Sequence, residues 1–143
     1  MTVKAILSRK GSDVVTIAPT ATLTDAVKLL AERRIGAVIV TGPDKRVSGI
    51  LSERDIVRSV AARGHAALDD NVGSVMTRKV TTCTEADTIA ALMERMTEGK
   101  FRHLPVVDQG KLVGVISIGD VVKWRLGEIE GESAALRDYI ATA

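Results

Sequence analysis

Apolar and polar positions along the chain change period several times, and the changes recur in the same order. Residues 14–17 form a short apolar stretch that reads as a strand. A polar turn, Pro19-Thr20-Ala21-Thr22, leads into Leu23, Ala26, Val27 and Leu30, with Ile35 beyond, which share one face of a helix. Residues 36–41 and 47–51 are apolar runs split by a Gly- and Asp-containing turn, so they predict two paired strands, and a helix starts at Ser52. The second half reads alike: strand 80–83, turn Thr84-Glu85-Ala86-Asp87, then a helix with Ile89, Leu92, Met93 and Met96 inside. Strands 103–107 and 112–116 follow, and a helix starts at Ser117. Met93 and Met96 are read as core filling. Residues 1–10 predict an added helix stopped by Gly11, and residues 64–71 a connecting segment.

The recurrence is an internal repeat. Gly49, Ser52, Asp55 and Val57 each reappear 65 positions later as Gly114, Ser117, Asp120 and Val122. Val15-Thr16 lies at the same offset from Val80-Thr81, whereas Ile35-Gly36-Ala37-Val38 best overlays Phe101-Arg102-His103-Leu104, one residue further on. That displacement predicts a one-residue insertion near residues 85–88 and a compensating shorter turn at Asp108-Gln109-Gly110. The expected fold is mixed α/β (α+β): two β-α-β-β-α units packed with pseudo-two-fold symmetry. One unit of about 55 residues would bury too little surface to be stable alone. Strands apolar on both faces also need cover on both sides. Clefts are expected where the two units meet.

Composition narrows the function. Of 143 residues, 45% are hydrophobic and 27% charged, with one Phe, one Tyr and one Trp, so the core is aliphatic. No apolar run approaches the ~20 residues of a membrane span, and the N-terminus does not read as a signal peptide. Cys83 stands alone, which excludes an internal disulfide and suits a reducing cytoplasm, the expected location. A net charge of +2 with interspersed signs gives no basic stripe, so neither nucleic acid nor membrane is expected as a partner.

No catalytic or metal-binding pattern stands out. His65 and His103 lie in unrelated contexts, His65 reading as an exposed linker residue and Cys83 as a small buried strand residue. Neither a Walker loop nor G-x-G-x-x-G occurs. What recurs is Ser-x-x-Asp at a strand-to-helix junction: Ser52/Asp55 and Ser117/Asp120. Its ordinary role is a capping box. The same geometry can also serve a ligand, since a helix start with a hydroxyl attracts phosphate and a carboxylate one turn in can accept from both hydroxyls of a ribose. Arg54 can pair with phosphate as a planar fork, while the second copy has Gly119 there and must draw its cation from Arg102-His103.

These stretches resemble a tandem pair of CBS (cystathionine-beta-synthase) domains, a Bateman module. The matching segments are Ile35-Gly36-Ala37-Val38-Ile39-Val40 with Gly49-Ile50-Leu51-Ser52-Glu53-Arg54-Asp55, and Phe101-Arg102-His103-Leu104-Pro105-Val106-Val107-Asp108 with Gly114-Val115-Ile116-Ser117-Ile118-Gly119-Asp120. Residues 12–68 and 73–127 are the two expected domains, with an N-terminal helix over 1–11 and a helical extension over 128–143. The chain also resembles stand-alone bacterial members of the family. The resemblance implies a regulatory sensor without catalytic activity or catalytic cofactor, taking AMP, ADP, ATP, NAD(H) or S-adenosylmethionine between its copies. In that pattern Asp55 and Asp120 hold ribose, and Ser52 and Ser117 meet phosphate. Val15-Thr16, Val80-Thr81, Gly36-Ala37 and Arg102-His103, continuing into Leu104-Pro105, line the adenine and phosphate space. The competing expectation is an interaction module with vestigial nucleotide sites; the regulated partner is not named by the sequence.

A homodimer is also expected. Leu126, Ile129, Ser133, Leu136 and Ile140 recur at steps of three and four, the spacing of a helical seam, and such modules typically pair into discs. The alternative is that this stripe packs back on its own module.

Overall fold

The repeated unit is present twice in the structure, a computed structural model that describes residues 1–142. Its elements run α1 (Val3–Lys10), β1 (Thr16–Ile17), α2 (Leu23–Arg33), β2 (Ala37–Thr41), β3 (Val47–Ser52), α3 (Glu53–Arg63), a 3-10 segment (Gly64–Asp69), α4 (Val72–Val75), α5 (Ile89–Gly99), β4 (His103–Asp108), β5 (Lys111–Ser117) and α6 (Ile118–Thr142). Local chemistry sets the boundaries. Thr22 and Thr88 cap α2 and α5, the first in a reciprocal box with Asp25. Both helices stop on a left-handed residue, Arg34 or Lys100, which turns the chain into the central strand of its copy.

In the first sheet β1 runs parallel to β2, and β2 pairs antiparallel with β3. In the second, β4 and β5 form an antiparallel pair. Both hairpins end alike, with Ala37 opposite Ser52 and His103 opposite Ser117, so each central strand opens beside the serine that starts the closing helix. The hairpin tips join the copies, since the Leu112 amide donates to the Lys45 carbonyl at 3.0 Å.

Several expectations need correction. The strand foreseen over 80–83 reduces to one bridge, in which Cys83 donates to Pro105 and accepts from Val107. Pairing also moves the insertion. Ile17 faces Val40 and Cys83 faces Val106, so the copies are already 66 positions apart at their first strands. The extra residue therefore lies before Cys83, not near 85–88, and Val15-Thr16 is equivalent to Thr81-Thr82. Val27 and Met93, placed inside by periodicity, are 40% and 38% exposed. They occupy matching positions in the two copies, at the edge of each apolar helix face. Residues 128–142 continue α6 without a break from the second copy.

The two aliphatic cores exchange helices. Leu23, Ala26, Leu30, Val38, Val40, Leu51 and Ile56 of the first copy pack with Val72 and Met76 from around α4. The second core, with Ile89, Leu92, Met96, Leu104, Val106, Ile116 and Val121, takes in Val3, Ile6 and Leu7 of α1. Thus α1, separated in sequence from the second copy, completes it, and the helix between the copies completes the first. The exchange explains the repeated glycine. A Cβ on Gly49 would lie 2.6 Å from the Thr77 carbonyl oxygen and 2.7 Å from Met76 Sδ, and one on Gly114 would lie 2.8 Å from Leu7 Cδ2. Each copy needs a hydrogen at that position so that its borrowed helix can dock.

Candidate functional site

Because each central strand opens beside a serine N-cap, polar groups converge where the copies meet. Ser52 accepts from the Asp55 amide at 3.2 Å, and Asp55 Oδ2 accepts from the Ser52 amide at 3.0 Å and from its hydroxyl at 3.1 Å. Ser117 and Asp120 repeat these three bonds at 3.1, 2.9 and 3.0 Å. Capping is therefore real in both copies. It uses one carboxylate oxygen: among the described residues Asp55 Oδ1 meets only the Thr77 hydroxyl, at 3.4 Å. An acceptor is left over, so capping and ligand binding are compatible roles for this residue.

A cavity of about 650 Å³ lies here, lined from both copies. It brings together Gly36, Ala37, Ser52, Arg54 and Asp55 of the first copy with Val80, Thr81, Arg102 and His103 of the second. Arg58, Lys79 and Lys100 add cations that the sequence reading did not single out, and Phe101 adds an aromatic wall. Arg58 was legible, standing one helical turn after Arg54. Lys79 and Lys100 come from the inter-copy link and a helix stop, where nothing in the sequence marks a site.

The other predicted residues stand apart. Leu104 is fully buried in the second core, and Pro105, also buried, offers its carbonyl to the Cys83 amide, so neither faces the cavity. Thr16 opens β1 and Val15 precedes it, and neither is among the residues lining the cavity. Around Ser117 and Asp120 the arrangement differs: Lys10 reaches in from α1 and places Nζ 2.6 Å from Asp120 Oδ2 and 2.9 Å from the Val115 carbonyl oxygen. Burial pushes the Asp120 carboxyl up, but the bonds from Lys10 and Ser117 outweigh it and hold its pKa below the ordinary value.

His103 bears on the charge of the site. Burial, aided by the Arg102 cation, lowers its pKa, with Asp120 opposing. At neutral pH it is a neutral hydrogen-bonding group, not the cation anticipated, and Arg102 carries that charge alone. Cys83 lies in the second core with its thiol pushed up to about 12, mainly by burial. Among the described residues no group of three or more His, Cys, Asp or Glu is placed to hold a metal, and no helix is long and apolar enough to cross a membrane.

A larger depression, about 940 Å³, runs along α6 between Arg102, Ile118, Val122, Trp124, Leu126 and Glu130. Its lining is mainly apolar, with Arg102, Lys123 and Glu130 as its charged members, and it holds neither serine–aspartate capping pair. The smaller cavity is the chemically equipped one.

Comparison with known proteins agrees with this geometry. A family model described as "CBS domain" matches residues 3–62 and 72–127. The crystal structure of a CBS-domain-containing protein from Agrobacterium tumefaciens superposes with a TM-score of 0.82 at 49% identity, covering 87% of this chain and 99% of that one. A CBS domain protein from Pyrobaculum aerophilum, solved in complex with AMP, gives a TM-score of 0.74 at 32% identity over 84% of this chain and 89% of that one. A mitochondrial CBS-domain-containing protein of Arabidopsis thaliana is 34% identical over 123 residues, or 83% of this chain. The chain spans 60% of that relative's length, and 24% of a second Arabidopsis relative that is 36% identical.

Proposed function

The chain belongs to the CBS-domain family, of which it carries two copies, and from that premise we propose that it is a regulatory module binding an adenine nucleotide between them. The observation that carries this reading is the pairing of a spare Asp55 oxygen with a helix start, Ser52 and Arg54, inside a cavity walled by the other copy. A vicinal diol can donate to that oxygen, while a phosphate beside Ser52 and Arg54 gains the helix N-terminus and a guanidinium. The AMP complex of the Pyrobaculum relative supports the choice of an adenine nucleotide.

A thermal-shift and calorimetric screen with AMP, ADP, ATP, NAD, NADH, S-adenosylmethionine and GMP tests the proposal. A ligand confined to the folded state raises the melting temperature by mass action. Stabilisation by adenine nucleotides and not by GMP is the expected result. Silence from every nucleotide would favour an interaction module with vestigial sites.

The same reading includes a homodimer. Val57 and Val122 occupy matching places on α3 and α6 and are 66% and 48% exposed, and Leu126, Ile129, Leu136 and Ile140 continue the apolar face along α6. Exposed apolar surface repeated on both halves suits a two-fold contact with a second copy.

A further inference from the structure

The cavity at Asp55 is strongly and unevenly charged. Arg54, Arg58, Lys79, Lys100 and Arg102 line it, against the carboxylates of Glu53 and Asp55. Four arginines elsewhere pair with carboxylates, Arg46 with Asp44, Arg63 with Asp70, Arg95 with Asp87 and Arg125 with Glu128, while others, such as Arg9 over Trp124 and Arg78 on the Gly73 carbonyl, do not. Among the described residues, none of the five cations at the cavity is held in such a pair. Like charges facing a common space repel, and the surrounding walls focus their field onto whatever enters. A neutral or cationic ligand leaves that repulsion in place, and a single phosphate, carrying at most about two negative charges, offsets only part of it.

The arrangement of the cations matters as much as their number. Arg54 and Arg58 stand one turn apart on α3, roughly 5–6 Å between their Cβ atoms, so their guanidiniums can each take a different phosphate of one chain. Lys79 and Lys100 come from outside α3, in the link before the second copy and at the stop of α5, and bring charge from other walls.

We infer that this cleft selects an adenine nucleotide carrying a di- or triphosphate, ADP or ATP, over AMP, adenosine and S-adenosylmethionine. The inference rests on the adenine-nucleotide reading above and adds the length of the phosphate chain. Arg58, Lys79 and Lys100 are its specificity-determining residues, reaching phosphates beyond the one beside Ser52 and Arg54.

Calorimetry on the full chain with adenosine, S-adenosylmethionine, AMP, ADP and ATP, without added magnesium, tests it. ATP should bind on the order of tenfold tighter than AMP, because each added phosphate gains partly exposed ion pairs. Raising the salt concentration should narrow that ratio. Arg58→Gln and Lys79→Gln, both at exposed positions, should lose more affinity for ATP than for AMP. AMP binding as tightly as ATP, or an unchanged ATP-to-AMP ratio in both variants, would overturn the inference and leave adenine binding standing. Failure of all five ligands to bind would overturn the adenine reading and the inference with it.

Discussion

The Lys10 ammonium lies 2.6 Å from Asp120 Oδ2, so α1 reaches across the serine–aspartate pair of the second copy while the matching pair in the first stays open. Two sites alike in sequence are thereby made unlike. Asp120 also keeps its Oδ1 free of the cap, but a ribose there must enter beside the Lys10 ammonium, which shares Oδ2 with the capping bonds; no cation is paired with Asp55 among the described residues. Calorimetry should find one adenine nucleotide per chain for the parent and two for Lys10→Gln. Equal stoichiometry in the two proteins would show that Lys10 does not govern access.

The same contact carries a pH dependence. The Asp120 pKa is lowered in the fold, so the contribution of the pair is full above the unfolded carboxylate value of about 3.9 and is lost as pH falls through the lower folded value. Lys10→Gln should cost no more than about 1 kcal/mol of stability at pH 7, as expected for a partly exposed pair. Denaturant titrations of both proteins at pH 7 and in acid would show the difference shrinking only in strong acid.

Asp55 has two roles that substitution can separate. Asp55→Ala removes the carboxylate half of the capping box while the Ser52 hydroxyl still accepts from the residue-55 amide, at about 1 kcal/mol of stability, and should weaken nucleotide binding by roughly tenfold to a hundredfold through the lost bonds to a charged acceptor. Asp55→Asn retains a capping oxygen and should recover part of the stability but not the affinity. Nucleotide binding that survives both changes would leave Asp55 as a cap only.

The glycines at the exchanged helices predict an asymmetry in stability. The nearest atom to a Gly49 Cβ is the Thr77 backbone carbonyl oxygen, which cannot yield, whereas Gly114 faces the movable end of Leu7. Gly49→Ala should therefore destabilise by about 1–3 kcal/mol and Gly114→Ala by less, read from denaturant midpoints.

Much of this was legible because two copies of the pattern check each other. The serine–aspartate pairs and the central hairpins repeat in sequence, and the structure repeats them at the same junctions. The helix exchange was hidden. Val3, Ile6 and Leu7 look like one side of an added helix, and nothing local tells that they fill the core of a copy beginning some 70 residues later. Lys10 went unnoticed for the same reason, as its role exists only once α1 docks. Val27 and Met93 show the limit of periodicity: a helix face wide enough to include them is wider than the surface available to cover it.

His103 supplies the last prediction, and its sign follows from burial. Its pKa is lowered in the fold, so its contribution to stability is present above the unfolded imidazole value of about 6.5 and is lost as pH falls through the folded value. Chemical denaturation at pH 7.5 and 5.5 should show a loss on acidification that His103→Gln reduces. Proton NMR can follow the ring directly, because His65, the other histidine, is exposed in the 3-10 segment and His65→Gln assigns the two signals. A phosphate-bearing ligand in the cavity favours the charged imidazole and should move the His103 midpoint upward, whereas adenosine should not. Binding of such a ligand then takes up a proton, so its affinity should rise as pH falls from 7.5 toward 6 while that for adenosine stays level. A His103 midpoint that ignores every ligand would place phosphate out of reach of the second central strand and leave its recognition to α3.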